Sequence, residues 1–320
     1  MVHKEVSGMK FQANIVGKRK LFYIVSVVLI LAGMVSMLFQ GLNLGIDFTS
    51  GNKMIVQFEQ DVNIAELRNT LAENGLTGSK IQELDNGSYV LKTSELTQDM
   101  EEALIDALEA KFGALDVQFS GLIGPSIGAE LKKSAAIALT LAVILMLCYI
   151  TFRFELHFAI AGILALFHDV LAVVAVFSIF QLEVDSTFIA ALLTVFGYSI
   201  NDKIVVFDRI RENLTKVRKD ELADLVNTSI AQSFTRSMNT SISTLILLLA
   251  LLFFGGTTTR IFVLAMAIGV VAGTYSSLCI ASPIWYDIKM KQKGNRPMQQ
   301  ILKSFCFSLS HHEGEHPDPP

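Results

Sequence analysis

Three polar residues, Asn201, Asp202 and Lys203, interrupt an apolar stretch of this chain. A carboxylate within a membrane span costs about 3 kcal/mol on insertion scales, so it is retained where it faces a charged partner or a water-filled path. The alternative is a helix that ends early and leaves the three residues among lipid headgroups. Ile204, Val205, Val206 and Phe207 favour the first reading, because they carry the apolar run past the charges. The candidate partner is Arg236, which lies in the first turns of a later apolar run and is followed by Ser237, Asn239, Thr240 and Ser241. Asp202 stands about 9 Å of helix before Asp208, so the two charges sit at similar depth if their helices run antiparallel. A neighbouring guanidinium favours the charged carboxylate and burial favours the neutral one. A partner that moves therefore makes the carboxylate take up or release a proton, which is a gate for proton flow. A static ion pair that fixes helix packing is the other reading.

His168 and Asp169 lie near the centre of a further apolar run. They read either as a hydrogen-bonded packing pair or as members of a proton path, histidine being the side chain that titrates near neutrality. Lys203 is about 100° around the helix from Asp202, and its stem allows the ammonium to snorkel to the interface. Other energy sources find no motif: there is no G-x-x-x-x-G-K, no G-x-S-x-G and no H-E-x-x-H. Two membrane aspartates suit an intramembrane protease, but the Gly-rich context expected around the second is missing. A proton gradient supplies about 2.3 kcal/mol per charge per 100 mV. The expectation is a transport subunit, not an enzyme, with no cofactor and no metal.

These residues must be positioned by membrane helices. The chain has 320 residues, is 52% hydrophobic and only 18% charged, and has a mean hydropathy of +0.49. The formal charge of −4 says less than its distribution. Cys148 and Cys279 fall in apolar runs and read as small buried hydrophobes, and Cys306 is in the tail. A short basic N-terminus (1–20) leads into an apolar run at 21–39, long enough to cross a bilayer. It is longer than a signal-peptide core and no cleavage pattern follows. A polar domain fills 40–133. Five more runs follow, at 134–152, 156–180, 187–207, 234–254 and 261–285, and the tail 289–320 reads as disordered. Its His311, His312 and His316 are metal-type residues, read here as part of a solvated end.

Within the polar domain the order is strand, helix, strand, strand, helix, strand. Strands are expected at 53–58, 81–84, 88–93 and 116–122, with Asn86-Gly87 as a hairpin turn. Helices are expected at 63–74, with Ile64, Leu67 and Leu71 on one face, and from a Thr97 cap to 112, with Met100, Leu104 and Leu108 aligned. That order is the split βαβ, ferredoxin-like arrangement. The fold class is therefore six membrane helices with an α+β domain after the first. Lysines and arginines set orientation. Lys18, Arg19, Lys20, Arg153, Arg209, Arg211, Lys216, Arg218, Lys219, Lys289, Lys291, Lys293 and Arg296 all fall on one side. Both termini are then cytosolic and the polar domain is outside, with Arg260 the one exception.

The residues 197–213, GYSINDKIVVFDRIREN, resemble the fourth-span signature of the SecF family of the bacterial Sec protein translocase. Within it fall Gly197, Asp208 and Arg209. GIDFTSG at 45–51, with Gly45, Asp47 and Phe48, resembles the family's motif after the first span, and GPSIGAEL at 124–131, with Gly124 and Pro125, its entry to the second. His168-Asp169, RSMNTS at 236–241 and GTYSSLCIASP at 273–283 fit as well. The resemblance implies pairing with a homologous SecD to complete a twelve-helix unit of the resistance-nodulation-division type. It implies residence in the inner membrane, contact with the SecYEG channel, accessory YajC/YidC-type proteins, membrane lipid and the preprotein, and no role for nucleic acid. It also implies proton flow that assists export after the ATP-driven step, and it aligns Asp202 and Arg236 with the residues implicated in proton passage. Two positions depart from the family pattern. Ser50 stands where Gly is usual, acceptable if φ stays negative, and Lys203 stands where Thr is frequent. Competing readings are a small-molecule efflux component of the same superfamily and a scaffold without transport.

Overall fold

The computed structural model describes residues 14–84, 86–215 and 221–291. The tail histidines, Cys306 and Lys216, Arg218 and Lys219 lie outside the described residues. Helix α1 (Arg19–Gln40) leads through a short turn, α2 (Ile46–Thr49), into the outer domain. That domain is β1 (Gly51–Phe58), α3 (Ile64–Glu73), β2 (Lys80–Glu83), β3 (Ser88–Thr93), α4 (Gln98–Phe112) and β4 (Leu115–Ile123). Its sheet has the order β2-β3-β1-β4 with every pair antiparallel, the expected ferredoxin-like arrangement.

The domain core follows from period-two and period-3.6 patterning. Met54, Val56 and Phe58 of β1 and Tyr89 and Leu91 of β3 point to one face. Leu67 and Leu71 of α3 and Leu104 and Leu108 of α4 cover it. Thr97 accepts from Met100 N, so the expected cap forms, and the Asn63 side chain caps the other helix by accepting from Ala65 N. Met100 is exposed instead of aligned with the core, because at the first turn of α4 the inward direction is taken by Leu104, Leu108 and the partly buried Ile105.

Then come α5 (Pro125–Arg153), α6 (Leu156–Ile179), α7 (Ser186–Leu214), α8 (Leu222–Phe254) and α9 (Arg260–Ser276). Helix α9 passes into a π turn, Ser277–Ala281, and helix resumes over 282–291. Counting α1, six helical segments are long and apolar enough to cross a membrane. Three of them outrun their apolar runs. Gly124 and Pro125 start α5 ahead of the apolar stretch, with Pro at the first helical position where its missing N–H costs nothing. The charged stretch after Phe207 continues α7 to Leu214 and α8 begins at Leu222, so most of the long connection read from the sequence is helix.

Helices α6, α7 and α9 form the buried centre, with α1, α5 and α8 around them. Small residues allow the close approach. A Cβ on Gly33 of α1 would fall 2.1 Å from the Ala175 Cβ of α6, and one on Gly273 of α9 would fall 3.0 Å from Ser199 Oγ of α7. Toward the N-terminal end of α6, Phe158 stacks on fully buried Trp285 at 4.8 Å, with Phe207 against it at 5.1 Å. Cys148 is exposed on α5 and Cys279 is partly buried, so the expectation of two buried cysteines fails for the first: α5 contributes few side chains to the interior.

The segment after α1 is stitched to the loop between α6 and α7. Val184 N donates to Asn43 O, Gly45 N to Val184 O and Asn43 Nδ2 to Gln181 O. Asp47 Oδ2 accepts from Ser186 N at 2.9 Å and from Ser186 Oγ, so it helps cap α7. Phe48 buries its ring beside Val173, Phe177 and Phe188. Ser50 has φ 67° and ψ 160°, against the expectation of a negative φ. The chain reverses there from α2 into β1, whose Gly51 lies so close to Thr93 O that a Cβ would stand 2.2 Å away.

Candidate functional site

Two carboxylates lie in the buried centre, and their surroundings differ. Asp169 is fully buried on α6. Its Oδ2 receives the Lys203 ammonium at 2.7 Å and the Ser199 hydroxyl, both from α7. Its Oδ1 lies 3.1 Å from His168 Nδ1. Ser199 and Lys203 are one helical turn apart and also contact each other. The expectation that Lys203 snorkels to the membrane surface is overruled by packing: its side chain is 0% exposed. The step of about 100° from Asp202 turns Lys203 toward α6, where Asp169 is the counter-ion.

The network continues outward through His168. Its Nε2 lies 3.0 Å from Ser26 Oγ of α1, Ser26 Oγ is 3.3 Å from the Tyr275 hydroxyl of α9, and Tyr275 donates to Phe22 O. A chain of hydroxyls and an imidazole thus joins α1, α9, α6 and α7. Hydroxyls and imidazole both donate and accept, so the chain has the chemistry to pass a proton between its ends. An apolar cavity of ≈ 610 Å³ between α1, α6, α8 and α9 reaches the His168 edge.

Asp202 is buried at 4% exposure and has far less support. Its Oδ2 accepts a single long hydrogen bond, 3.5 Å from Ser277 Oγ in the first position of the π turn. The π turn is the structural irregularity closest to the carboxylate, and such turns recur at functional sites. Ser237 Oγ of α8 is within reach of the same carboxylate yet is fully buried without a hydrogen-bond partner. Arg236, next to it, is exposed and forms no ion pair among the described residues. The expected Asp202–Arg236 ion pair is therefore not formed among the described residues.

Asn201 and Gly197 face outward on α7, away from this cluster, and a Cβ at Gly197 would meet nothing. On α8, Arg236, Asn239, Thr240 and Ser243 are exposed at helical spacing. Polar side chains are thus exposed within the apolar length of each of the two helices. Asp208 pairs with Arg153 at 3.4 Å and Arg209 with Glu212 at 2.8 Å, both at the far end of α7. Gly45, Asp47, Phe48, Gly124 and Pro125 serve the connections to the outer domain. No group of three or more metal-type side chains occurs among the described residues. Sequence reading missed the roles of Ser199 and Lys203. Their signal was the four-residue spacing, which sets both on one face of α7.

Comparison with known proteins adds an independent line. Residues 104–291 match the description "Protein export membrane protein SecD/SecF, C-terminal", and residues 35–62 match the SecD/SecF GG motif. A protein of Sebaldella termitidis named protein translocase subunit SecF is 42% identical over 281 residues, covering 86% of this chain and 91% of that protein. A like-named protein of Haemophilus influenzae is 35% identical, with 91% of each chain covered. The crystal structure of SecDF from Thermus thermophilus, titled a translocon-associated membrane protein, superposes with a TM-score of 0.78 at 36% identity. The match covers 88% of this chain, but this chain spans only 40% of that one.

Proposed function

The chain belongs to the SecD/SecF family of protein-export membrane proteins, and from that premise we propose that it is a SecF-type subunit that assists preprotein export. It is a multi-pass membrane protein and an accessory subunit of transport, not an enzyme. The partner is a SecD-type chain, since the solved SecDF chain is more than twice as long as the part this chain matches. In this reading the pair completes a twelve-helix unit in the inner membrane. Residues 1–20 and 289–320 are cytosolic and the polar domain at 40–133 is outside. The pair works beside the SecYEG channel and YajC/YidC-type accessory proteins.

The observation that carries the coupling mechanism is the poorly satisfied Asp202 facing a Ser237 hydroxyl without a hydrogen-bond partner and an Arg236 without an ion pair among the described residues. A buried carboxylate with one long hydrogen bond gains from binding a proton or from the approach of a cation. Asp202 therefore holds a proton when Arg236 is turned away and releases it when Arg236 approaches. The exposed side chains of Asn201, Arg236, Asn239 and Ser243 support a place for the SecD-type half, because polar side chains facing lipid are costly and sites of repeated transporters lie between halves. His168 serves as the inner relay, its proton leaving or entering through Ser26 and Tyr275, while Asp169, held by Lys203, orients the imidazole.

The test is export of a secreted reporter in cells carrying Asp202→Asn, with the membrane level of the protein measured in parallel. Export slows while the level is unchanged. Unchanged export at normal level would remove Asp202 from the mechanism.

A further inference from the structure

A second charged cluster lies on the opposite side of the bundle, where the outer domain meets the membrane. A cavity of ≈ 430 Å³ there is walled by Lys80 and Glu83 of β2, Lys92 of β3, Glu183 of the loop before α7, and Thr257 and Arg260 at the start of α9. Three isoleucines also line it. Part of the cluster closes on itself. Glu183 Oε1 is 3.0 Å from Lys92 Nζ and 3.6 Å from Lys80 Nζ, and Lys80 also donates to Leu44 O. Of the charged and hydroxyl groups, three remain, beside the amide of Gln82. Glu83 and Arg260 are exposed and form no ion pair among the described residues, and Thr257 Oγ1 is buried without a hydrogen-bond partner.

The unsatisfied chemistry is thus one carboxylate from the domain wall and one guanidinium with a hydroxyl from the membrane wall. A ligand that answers both carries an anion and a cation a few bonds apart. Arg260 also opens a membrane-crossing helix and breaks the charge asymmetry of the chain, so it stands at the level of lipid headgroups. We infer that this cavity binds the headgroup of a zwitterionic phospholipid. The phosphate lies against Arg260 and Thr257, the ammonium against Glu83, and the acyl chains run down beside α9. Guanidinium–phosphate contacts are charge-assisted and directional, which suits Arg for the anionic wall. The bound lipid fills the gap between domain and bundle. This reading uses neither the Asp202 site nor the SecD-type partner.

The experiment is native mass spectrometry of the full-length chain purified in detergent. The probes are phosphatidylethanolamine, phosphatidylglycerol of the same acyl length, and inorganic phosphate. The wild-type chain retains phosphatidylethanolamine in preference to phosphatidylglycerol, and millimolar phosphate does not displace it. Arg260→Gln weakens retention of both lipids, about tenfold for one lost charge-assisted contact. Glu83→Gln weakens phosphatidylethanolamine alone and so reverses the preference. Both side chains are exposed and form no ion pair among the described residues, so the folded level of each variant matches wild type. Equal retention by wild type and Arg260→Gln overturns the proposal. Displacement by free phosphate overturns it in favour of a simple anion site, and a preference unchanged by Glu83→Gln removes the zwitterion.

Discussion

Asp169 and Asp202 lie on adjacent helices in the same buried layer, yet one is saturated and the other is nearly bare. Asp169 has an ammonium, a hydroxyl and an imidazole around it. Asp202 has one hydroxyl at 3.5 Å. A charge buried with its counter-ion is fixed, because separating the two leaves an uncompensated charge in a low-dielectric site. A carboxylate with few partners has little to lose by changing its state. The contrast divides the labour between them: Asp169 with Lys203 holds α6 to α7, and Asp202 is the group free to respond.

The most direct way to break the contrast is Lys203→Met. It strands Asp169 without its cation and destabilises the protein by about 3–5 kcal/mol. The measurement is thermal unfolding of the purified protein in detergent, with membrane level in cells as the second readout. A loss no larger than that of Asp202→Asn would erase the distinction. Adding Asp169→Asn to Lys203→Met removes both charges and recovers more than half of the lost stability. That coupling, about 2 kcal/mol or more, is read from a double-mutant cycle. Ser277→Ala removes the one hydrogen bond to Asp202 and costs about 1 kcal/mol or less, while the export rate of the reporter changes.

The smallest effect belongs to a surface pair that serves as a control. The Lys289 ammonium, 2.9 Å from Glu155, holds that carboxyl below the usual glutamate range. A lowered carboxylate stabilises the fold above its unfolded pKa, and the gain is lost as pH falls through the folded value. Lys289→Gln therefore lowers the melting temperature slightly at neutral pH and leaves it unchanged at the acid end. Because Glu155 is largely exposed, solvent screening keeps the shift small.

The outer domain was legible in the sequence almost element by element, because its faces alternate between core and water. Period-two strands, the Asn86-Gly87 turn and the Thr97 cap each report a local rule that the fold obeys. The membrane region reported its spans but not their facing. Around a helix that is apolar on most sides, nothing local tells Lys203 to turn inward toward Asp169. That direction is set by α6, more than thirty residues away in the chain. Ser50 failed for a different reason. Its positive φ comes from the reversal between α2 and β1, in a region of backbone space nearly reserved for glycine, at a cost of about 1–3 kcal/mol.

The stitching of residues 43–47 onto the loop before α7 has a mechanical meaning. The hydrogen bonds of Asn43, Gly45 and Asp47 run side by side and reach two neighbouring stretches of backbone. Tension applied to the outer domain is shared among these bonds. The load passes through Asp47 to the first turn of α7, and that helix is the one that carries Asp202. A pull on the domain and a change of charge in the bundle therefore act on the first turn and the middle of the same helix.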